Sequence, residues 1–364
     1  MTSPHSFPSY RKLIPAIAIT LAFGLASTAY AQGVTNSVLY QQSMDITGEL
    51  NLLHEANGSQ AEKVRNAPEI SNRLPRHVLQ KAREVLLKVQ VARKLNGLPQ
   101  TKAPAIPAKQ ITATEIKPLL DLILKDVRDL RTKFAVSKPS PKSGVVSGKT
   151  SNDVYVLLEK ANHAIDGLDI PHINPNEVLQ IADTIVADLE AIRAQRGLSD
   201  KIAYSSGAKK KPKAVYNHAY ELMKALKGVA DVNGDFKIDG GITLTAQKSK
   251  GRVAGNQVID NLNNILADVA AMKVKLGVNK PTVLASMKSG NKPGDVFDAV
   301  DTAIKLTYPF ETVLPTGLAI AGAVLADQVK SIDRNVRNLE IAYKAPSEVV
   351  SDVLGEISAL LKLN

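Results

Sequence analysis

Hydrophobic residues recur along this chain at the spacing of an α-helix, and four segments share the same pattern. The segments that begin at Val78, Val178 and Val258 align without gaps, and a fourth begins at Ile116. Steps of four, three, four and three residues place five apolar positions on one face of each helix. The five positions are Val78, Ala82, Val85, Val89 and Ala92 in the first segment, then Val178, Ala182, Ile185, Leu189 and Ile192, then Val258, Leu262, Ile265, Val269 and Met272, and in the fourth Ile116, Leu120, Ile123, Val127 and Leu130.

Glycine follows three of these four predicted helices at the same repeat position. Gly97, Gly197 and Gly277 stand where a helix commonly ends with one residue in the left-handed conformation, and the fourth segment has Ala135 there. The pattern therefore predicts where each helix stops as well as which face it buries.

A second recurrent helix begins with a hydrophobic pair, Val154-Tyr155, Val215-Tyr216 or Val296-Phe297. These pairs lie 38, 37 and 38 residues after the starts of the preceding repeat helices. So constant a spacing indicates one building unit with a loop of nearly constant length. We therefore predict an all-α fold of repeated antiparallel helical hairpins, which form either a helical bundle or a short α-solenoid.

The repeats divide the chain into segments. We expect a leader in 1–31, a helical lead-in and polar connector in 32–74, and hairpin repeats in 75–230. A loop or small hairpin insertion follows in 231–252, a further hairpin repeat in 253–311, and C-terminal helices in 312–364. The apolar run Leu314–Ala326 is too short to span a bilayer, so we predict a buried helix there.

The first 31 residues resemble a secretory signal peptide. Arg11 and Lys12 precede an apolar run, which ends in the small-residue pattern Ala29-Tyr30-Ala31. An uncleaved membrane anchor is the alternative. We expect cleavage and a mature protein in the periplasm or outside the cell, with no transmembrane span.

Composition narrows the chemistry further. Hydrophobic residues make up 44% of the 364 residues, enough for a globular core. The chain has no cysteine, which excludes disulfides, Cys-ligated metals and thiol nucleophiles. The histidines show no short metal-ligand spacing and no nucleophile elbow occurs, so we expect neither an enzyme nor a resident organic cofactor.

Positive charge is concentrated between the predicted helices. Without Arg11 and Lys12 the net charge falls from +11 to +9, and the segments 98–115, 137–153, 199–214 and 279–295 together carry +9. If the hairpins stack, these loops meet along one edge and form a positive rim; the alternative is a solvated surface. The candidate anion-binding residues are Lys209, Lys210, Lys211, Lys213, Lys138, Lys142, Lys149, Lys280, Lys288 and Lys292.

One short segment resembles the aspartate-rich loops of EF-hand, dockerin and propeller-type calcium sites. Asp231, Asn233, Asp235 and Asp239 occupy positions 1, 3, 5 and 9 of such a loop, and Lys237 could offer its carbonyl at position 7. Phe236 and Ile242 depart from the pattern at positions 6 and 12. The resemblance implies a Ca²⁺ site, and the alternative is a small structural hairpin across Asp239-Gly240.

Two functional hypotheses follow. The first is an exported binding or scaffold protein whose lysine-rich loops contact an anionic envelope component or a protein partner, without specific nucleic-acid recognition. The second is a periplasmic sensor or carrier that holds a small ligand in a pocket between helices.

Overall fold

The computed structural model describes residues 33–58, 71–200, 202–248, 250–311, 329–330, 332 and 354–359. The predicted leader and the Leu314–Ala326 run lie outside these residues, as does most of the predicted C-terminal helical segment 312–364. Up to residue 311 the described chain forms eight α-helices and two short 3-10 turns. The helices are α1 (Asn36–Ala56), α2 (Pro75–Leu95), α3 (Ala113–Leu130), α4 (Ser151–Asp166), α5 (Pro175–Gln195), α6 (Pro212–Val232), α7 (Gly255–Lys275) and α8 (Pro293–Thr307).

The all-α prediction is confirmed. The four repeat segments are α2, α3, α5 and α7. None of the twenty apolar side chains at their five shared positions is more than 4% exposed. The described residues contain no strand, only one isolated β-bridge between Ile106 and Thr282. The buried apolar faces form one continuous core, so the periodicity identified the core correctly.

The four repeat helices also stop in the same way. Gly97, Gly197 and Gly277 have φ of +68°, +70° and +74°, and Ala135 takes their place after α3 with φ of +50°. In each case the next residue donates its N–H to a carbonyl five positions back, as Leu98 does to Arg93 at 2.8 Å. This is the Schellman arrangement, which satisfies helix carbonyls that would otherwise lack partners.

Helices that pack against each other within α1–α4, or within α5–α8, run in the same direction. Between α1 and α4, Ser151 bonds to Asn36 at the two helix starts, and Asn57 bonds to Asp169 just beyond the two helix ends. Gly255 at the start of α7 lies against Ile173, which comes just before α5. The starts of α5 and α7 are therefore at the same end. This parallel arrangement differs from the predicted antiparallel hairpins.

Long connecting segments explain the parallel direction. A 21-residue helix such as α2 is ~31 Å long at ~1.5 Å per residue, and extended chain covers ~3.3 Å per residue. Segment 97–112 is therefore long enough to return to the start of α2, and it does so. Its Pro99 carbonyl meets Arg93, its Thr101 N–H meets Gln90 and its Pro104 carbonyl meets Arg83. The constant 37 to 38 residue spacing thus measures one helix plus one return segment.

The contacts group the helices into two four-helix units, α1–α4 and α5–α8. In the first unit α1 and α2 each contact α3 and α4, and in the second α5 and α6 each contact α7 and α8. Helices consecutive in sequence within a pair, such as α1 and α2, therefore lie diagonally. The two units join through α2 and α7, and we call the packed faces of these two helices the seam.

Candidate functional site

A cavity of about 820 Å³ lies at one end of the seam. Its walls come from the starts of α1, α2 and α3, the C-terminal half of α7, and the segments 106–111 and 238–240. Because α2 begins where α7 ends, the two helices run antiparallel across the seam. We call this space the interunit cavity.

Aliphatic side chains form most of the cavity wall. α2 contributes Leu79, the return segment after α2 contributes Ile106 and Ile111, and the turn after α6 contributes Ile238. The α7 face is made of small residues, which leave the space open: Ala267, Ala270, Ala271 and Val274. A volume of this size with apolar walls and few polar groups is typical of small-molecule sites, which measure ~300 to 1,000 Å³.

Gln80 is the polar side chain that distinguishes this cavity. It lines the space and is only 3% exposed, and among the described residues its amide has no hydrogen-bond partner. The two residues at the equivalent repeat position are both satisfied. Gln180 donates to the Ala285 carbonyl at 2.8 Å, and Asp260 pairs with Lys81. The Gln80 amide opens onto the cavity rather than being sealed in the core, so it is the group that a ligand in the cavity would complete.

Arg76 connects the two units at the cavity mouth. Its guanidinium donates to Asp268 of α7 at 2.7 Å, to the Asp239 carbonyl at 2.7 Å and to the Gly241 carbonyl at 2.6 Å. All three guanidinium nitrogens are therefore engaged, so Arg76 holds the mouth in shape.

His77 lies behind Arg76 and is fully buried. Its Nδ1 accepts the Leu74 N–H at 3.0 Å, and its Nε2 lies 3.0 Å from Asp268 Oδ1. Burial lowers the pKa of His77, and the neighbouring Arg76 and Arg73 act in the same direction, although Asp268 opposes them. The ring is therefore neutral, with its proton on Nε2, and it takes the place of a side-chain cap at the start of α2.

Three helix N-termini reach the cavity because the first unit is parallel. Thr35-Asn36, Leu74-Pro75 and Thr112-Ala113 are the first residues of α1, α2 and α3, and all line the space. Each N-terminus carries about half a positive charge. Leu74, the N-cap of α2, offers no side-chain acceptor, and Pro75 has no N–H.

Two lysines stand at the rim. Lys109 pairs with Glu115 at 2.8 Å, and Lys275 donates to the Gly234 carbonyl at 2.9 Å and to that of Lys237. Burial opposes the charge of Glu115, but hydrogen bonds from Lys109 and Thr112 lower its pKa to about 2. The carboxylate of Asp239 lies at the same rim, 3.3 Å from the Gln110 amide.

A buried charge cluster lies farther along the seam. The Lys81 ammonium is 1% exposed and contacts three carboxylates: Glu84 at 2.9 Å, Glu159 at 2.7 Å, and Asp260. Burial alone lowers the pKa of Lys81, but the three carboxylates raise it well above its usual value. Burial also raises the pKa of Asp260 well above its usual value, and Glu159 and Glu84 add to that effect. Because α2, α4 and α7 all contribute, the cluster ties the two units together.

The predicted calcium donors have separate partners. Asp231 pairs with Lys227 at 2.6 Å, Asp235 with Arg196 at 2.9 Å, and the Lys237 carbonyl with Lys275. The buried Asn233 caps the 3-10 turn Gly234–Phe236. Among the described residues no group of three or more acidic or histidine side chains could hold a metal ion. The calcium site therefore stays a prediction.

The alternative prediction for this segment, a small β-hairpin, is wrong. Its residues do not pair with each other, because their polar groups bond to α6 instead. Tyr216 donates to the Ala246 carbonyl at 3.2 Å, and Asn217 bonds to both the N–H and the carbonyl of Lys248. Residues 242–248 form another return segment along a helix.

The loop lysines lie along the helices rather than beyond their ends. Lys138 pairs with Glu55 at 2.5 Å and Lys288 with Asp183 at 2.7 Å. Lys149 and Lys210 stand over the rings of Tyr40 and Phe297. Lys213 also has a contact. The described structure shows no ion pair for the remaining exposed lysines, which are Lys142, Lys209, Lys211, Lys280 and Lys292.

A second titratable cluster surrounds Asp301 of α8. Asp301 accepts from Ser205 at 2.5 Å, lies 3.0 Å from His218 and pairs with Lys305 at 3.1 Å. His218 also stacks on Phe297, with ring centroids 4.1 Å apart. These bonds attach the return segment before α6 to α8, which is a structural role.

Sequence reasoning missed Gln80 and the buried carboxylates, although the repeat alignment contained a signal for both. Asp126, Asp188 and Asp268 occupy one repeat position and are all buried. Each forms an ion pair with a basic side chain of a neighbouring helix, as Asp188 does with Lys273 at 2.5 Å. Polar residues aligned within otherwise apolar repeat helices were the clue.

Comparison with known proteins adds no relative. No protein-family model, curated protein or solved structure matches the chain. Within the described residues, none of the helices combines the length and hydropathy needed to cross a membrane.

Proposed function

We propose that this chain is an exported, non-enzymatic carrier or sensor that holds a small ligand in the interunit cavity. The observation that carries the proposal is a cavity of about 820 Å³ with a mainly aliphatic wall and one amide, that of Gln80, which faces it without a partner among the described residues. The leader pattern of residues 1–31 supports export.

The construction of the cavity favours a preformed site. Arg76, His77 and Asp268 are linked by hydrogen bonds across its mouth, and the Lys81 cluster holds the same two helices farther along. Side chains that are already positioned lose little conformational entropy when a ligand enters. The small residues of α7 leave space that nothing in the described structure fills.

The lysine-loop hypothesis stays a second candidate. Five of its ten lysines are exposed and show no ion pair in the described structure, among them Lys209 and Lys211. They offer loose, salt-sensitive attraction to an anionic envelope component or partner, which is compatible with carrying a ligand.

A neutral fluorescent probe tests the carrier proposal. N-phenyl-1-naphthylamine should bind the purified protein with one site per chain and should gain fluorescence in the apolar cavity. Ala271→Phe should abolish this site, because the ring fills the α7 wall. Ala191→Phe is the matched control, since Ala191 occupies the same repeat position on α5, is also half-buried and does not line the cavity.

Two results would contradict the proposal. One is a protein that binds no probe. The other is probe binding that survives Ala271→Phe, or falls equally in Ala191→Phe, while both variants keep the helical circular dichroism and melting temperature of the parent protein.

A further inference from the structure

We infer that the ligand of the interunit cavity is an anionic amphiphile, with a carboxylate headgroup at Gln80 and the start of α2 and an aliphatic body along α7. This inference rests on the proposed function and adds the chemical class of the ligand.

The direction of the helices gives the cavity a positive partial charge. In an antiparallel bundle, N-termini and C-termini alternate at each end and their partial charges cancel. Here α1, α2 and α3 all begin at the cavity, and α7 alone ends there. Three N-termini against one C-terminus leave an excess of about one positive charge. The formal charges at the mouth add nothing to this, because the three cations Arg76, Lys109 and Lys275 are equal in number to the three carboxylates of Asp268, Glu115 and Asp239.

Gln80 points to a ligand independently of the helix ends. The residue is 3% exposed, its amide opens onto the cavity, and no partner for that amide is seen among the described residues, whereas Gln180 and Asp260 at the same repeat position are satisfied. An amide N–H₂ can donate to a carboxylate, and bonds to charged acceptors are stronger than bonds to neutral ones. In the first turn of α2, Pro75 has no N–H and the His77 N–H donates to the Leu74 carbonyl at 2.9 Å, so the described structure leaves the Arg76 N–H as the further donor there.

The rest of the cavity wall favours an apolar body on the ligand. Beyond Gln80, the residues that face the space include Leu79, Ile111, Ile238 and Val274. A small inorganic anion would leave these surfaces in contact with water. An aliphatic chain would cover them and gain about 0.8 kcal/mol for each buried methylene. The cavity thus suits one molecule with an anionic head and an apolar body.

Displacement of N-phenyl-1-naphthylamine from the full-length protein tests the inference. Decanoate, decanol and decylamine share one chain and differ in the headgroup. We expect decanoate to displace the probe at a concentration at least tenfold below that of decanol, with decylamine the weakest. Equal potency of decanoate and decanol would overturn the inference, yet would leave the carrier proposal intact. Failure of the probe itself to bind would overturn both.

Substitutions at Gln80 provide the second arm. Gln80→Leu should weaken decanoate about tenfold and leave the neutral probe unaffected, and Gln80→Glu should reverse the preference towards decylamine. The control Gln180→Leu should lower the melting temperature and leave decanoate binding unchanged. Unchanged decanoate affinity in Gln80→Leu would contradict the assignment.

Discussion

Charged side chains have opposite surroundings at the seam and in the lysine loops. At the seam, Lys81, Arg76 and Asp268 are buried or nearly so, and each has partners on another helix. In the loops, Lys209 and Lys211 are exposed, and no ion pair is seen for them in the described residues. The loops hold the excess charge in the sequence, but the charges with structural consequences are balanced and belong to helices. The excess of positive charge therefore marks solvated surface, whereas buried ion pairs mark the contact between the two units.

The largest expected effect comes from Lys81. Lys81→Met leaves the buried Glu84 and the partly exposed Glu159 and Asp260 without their cation, so we expect the free energy of unfolding to fall by ~3 kcal/mol. The control Lys288→Met removes an exposed lysine whose ion pair in the described structure is with Asp183, and should cost under ~1 kcal/mol. Urea denaturation of both variants measures the difference. Similar losses in the two would show that the seam cluster does not join the units.

The sequence predicted the buried faces and helix ends well, because both depend on local spacing. Val78 or Ile185 is buried through periodicity alone, and Gly97 ends a helix through its own backbone freedom. The direction of the helices was not local information. A constant spacing fits both a hairpin and a helix with an extended return, and only contacts such as that between Pro104 and Arg83 decide between them.

The cavity could not be predicted for the same reason. Its walls come from positions as far apart as Asn36 and Lys275, and only the packing of α2 against α7 brings them together. Gln80 reads in the sequence as one more polar helix residue. Its significance depends on the contrast with Gln180 and Asp260, whose partners are visible only in three dimensions.

His77 should make the stability of the seam depend on pH. The unfolded chain takes up this proton near pH 6.5, while burial keeps the folded ring neutral to lower pH. Below pH 6.5 the unfolded state therefore binds more protons, and stability falls as the pH falls, by at most ~1.4 kcal/mol per pH unit. His77→Gln should flatten this dependence between pH 7 and 5. The exposed His172→Gln is the control, and identical pH profiles for parent and His77→Gln would refute the assignment.

The loop lysines should change binding rather than stability. Replacing Lys209, Lys210, Lys211 and Lys213 by Gln should move the free energy of unfolding by under ~1 kcal/mol. Elution from a heparin column should shift to lower salt, because the variant loses four positive charges that attract the polyanion. Less salt is then enough to screen the remaining attraction, which at 0.15 M is weakened beyond ~8 Å. The matched control replaces the exposed helix lysines Lys94, Lys125, Lys160 and Lys224, since Lys81 and Lys273 are buried. Equal shifts would mean that only total charge matters.

Calcium should have the smallest effect. Asp231 and Asp235 already pair with Lys227 and Arg196, so a metal ion would have to displace those cations. We expect no change in melting temperature between millimolar calcium and excess chelator. A rise with calcium that disappears in an Asp231→Ala, Asp235→Ala double variant would confirm the calcium-site prediction.

The most direct test of the account is an experimental structure of the protein with decanoate. The account predicts one molecule in the interunit cavity, with its carboxylate within hydrogen-bond distance of the Gln80 side-chain nitrogen and its chain along Leu79 and the α7 face. A structure at saturating decanoate in which the cavity is empty, or in which Gln80 bonds to another part of the protein, would contradict it.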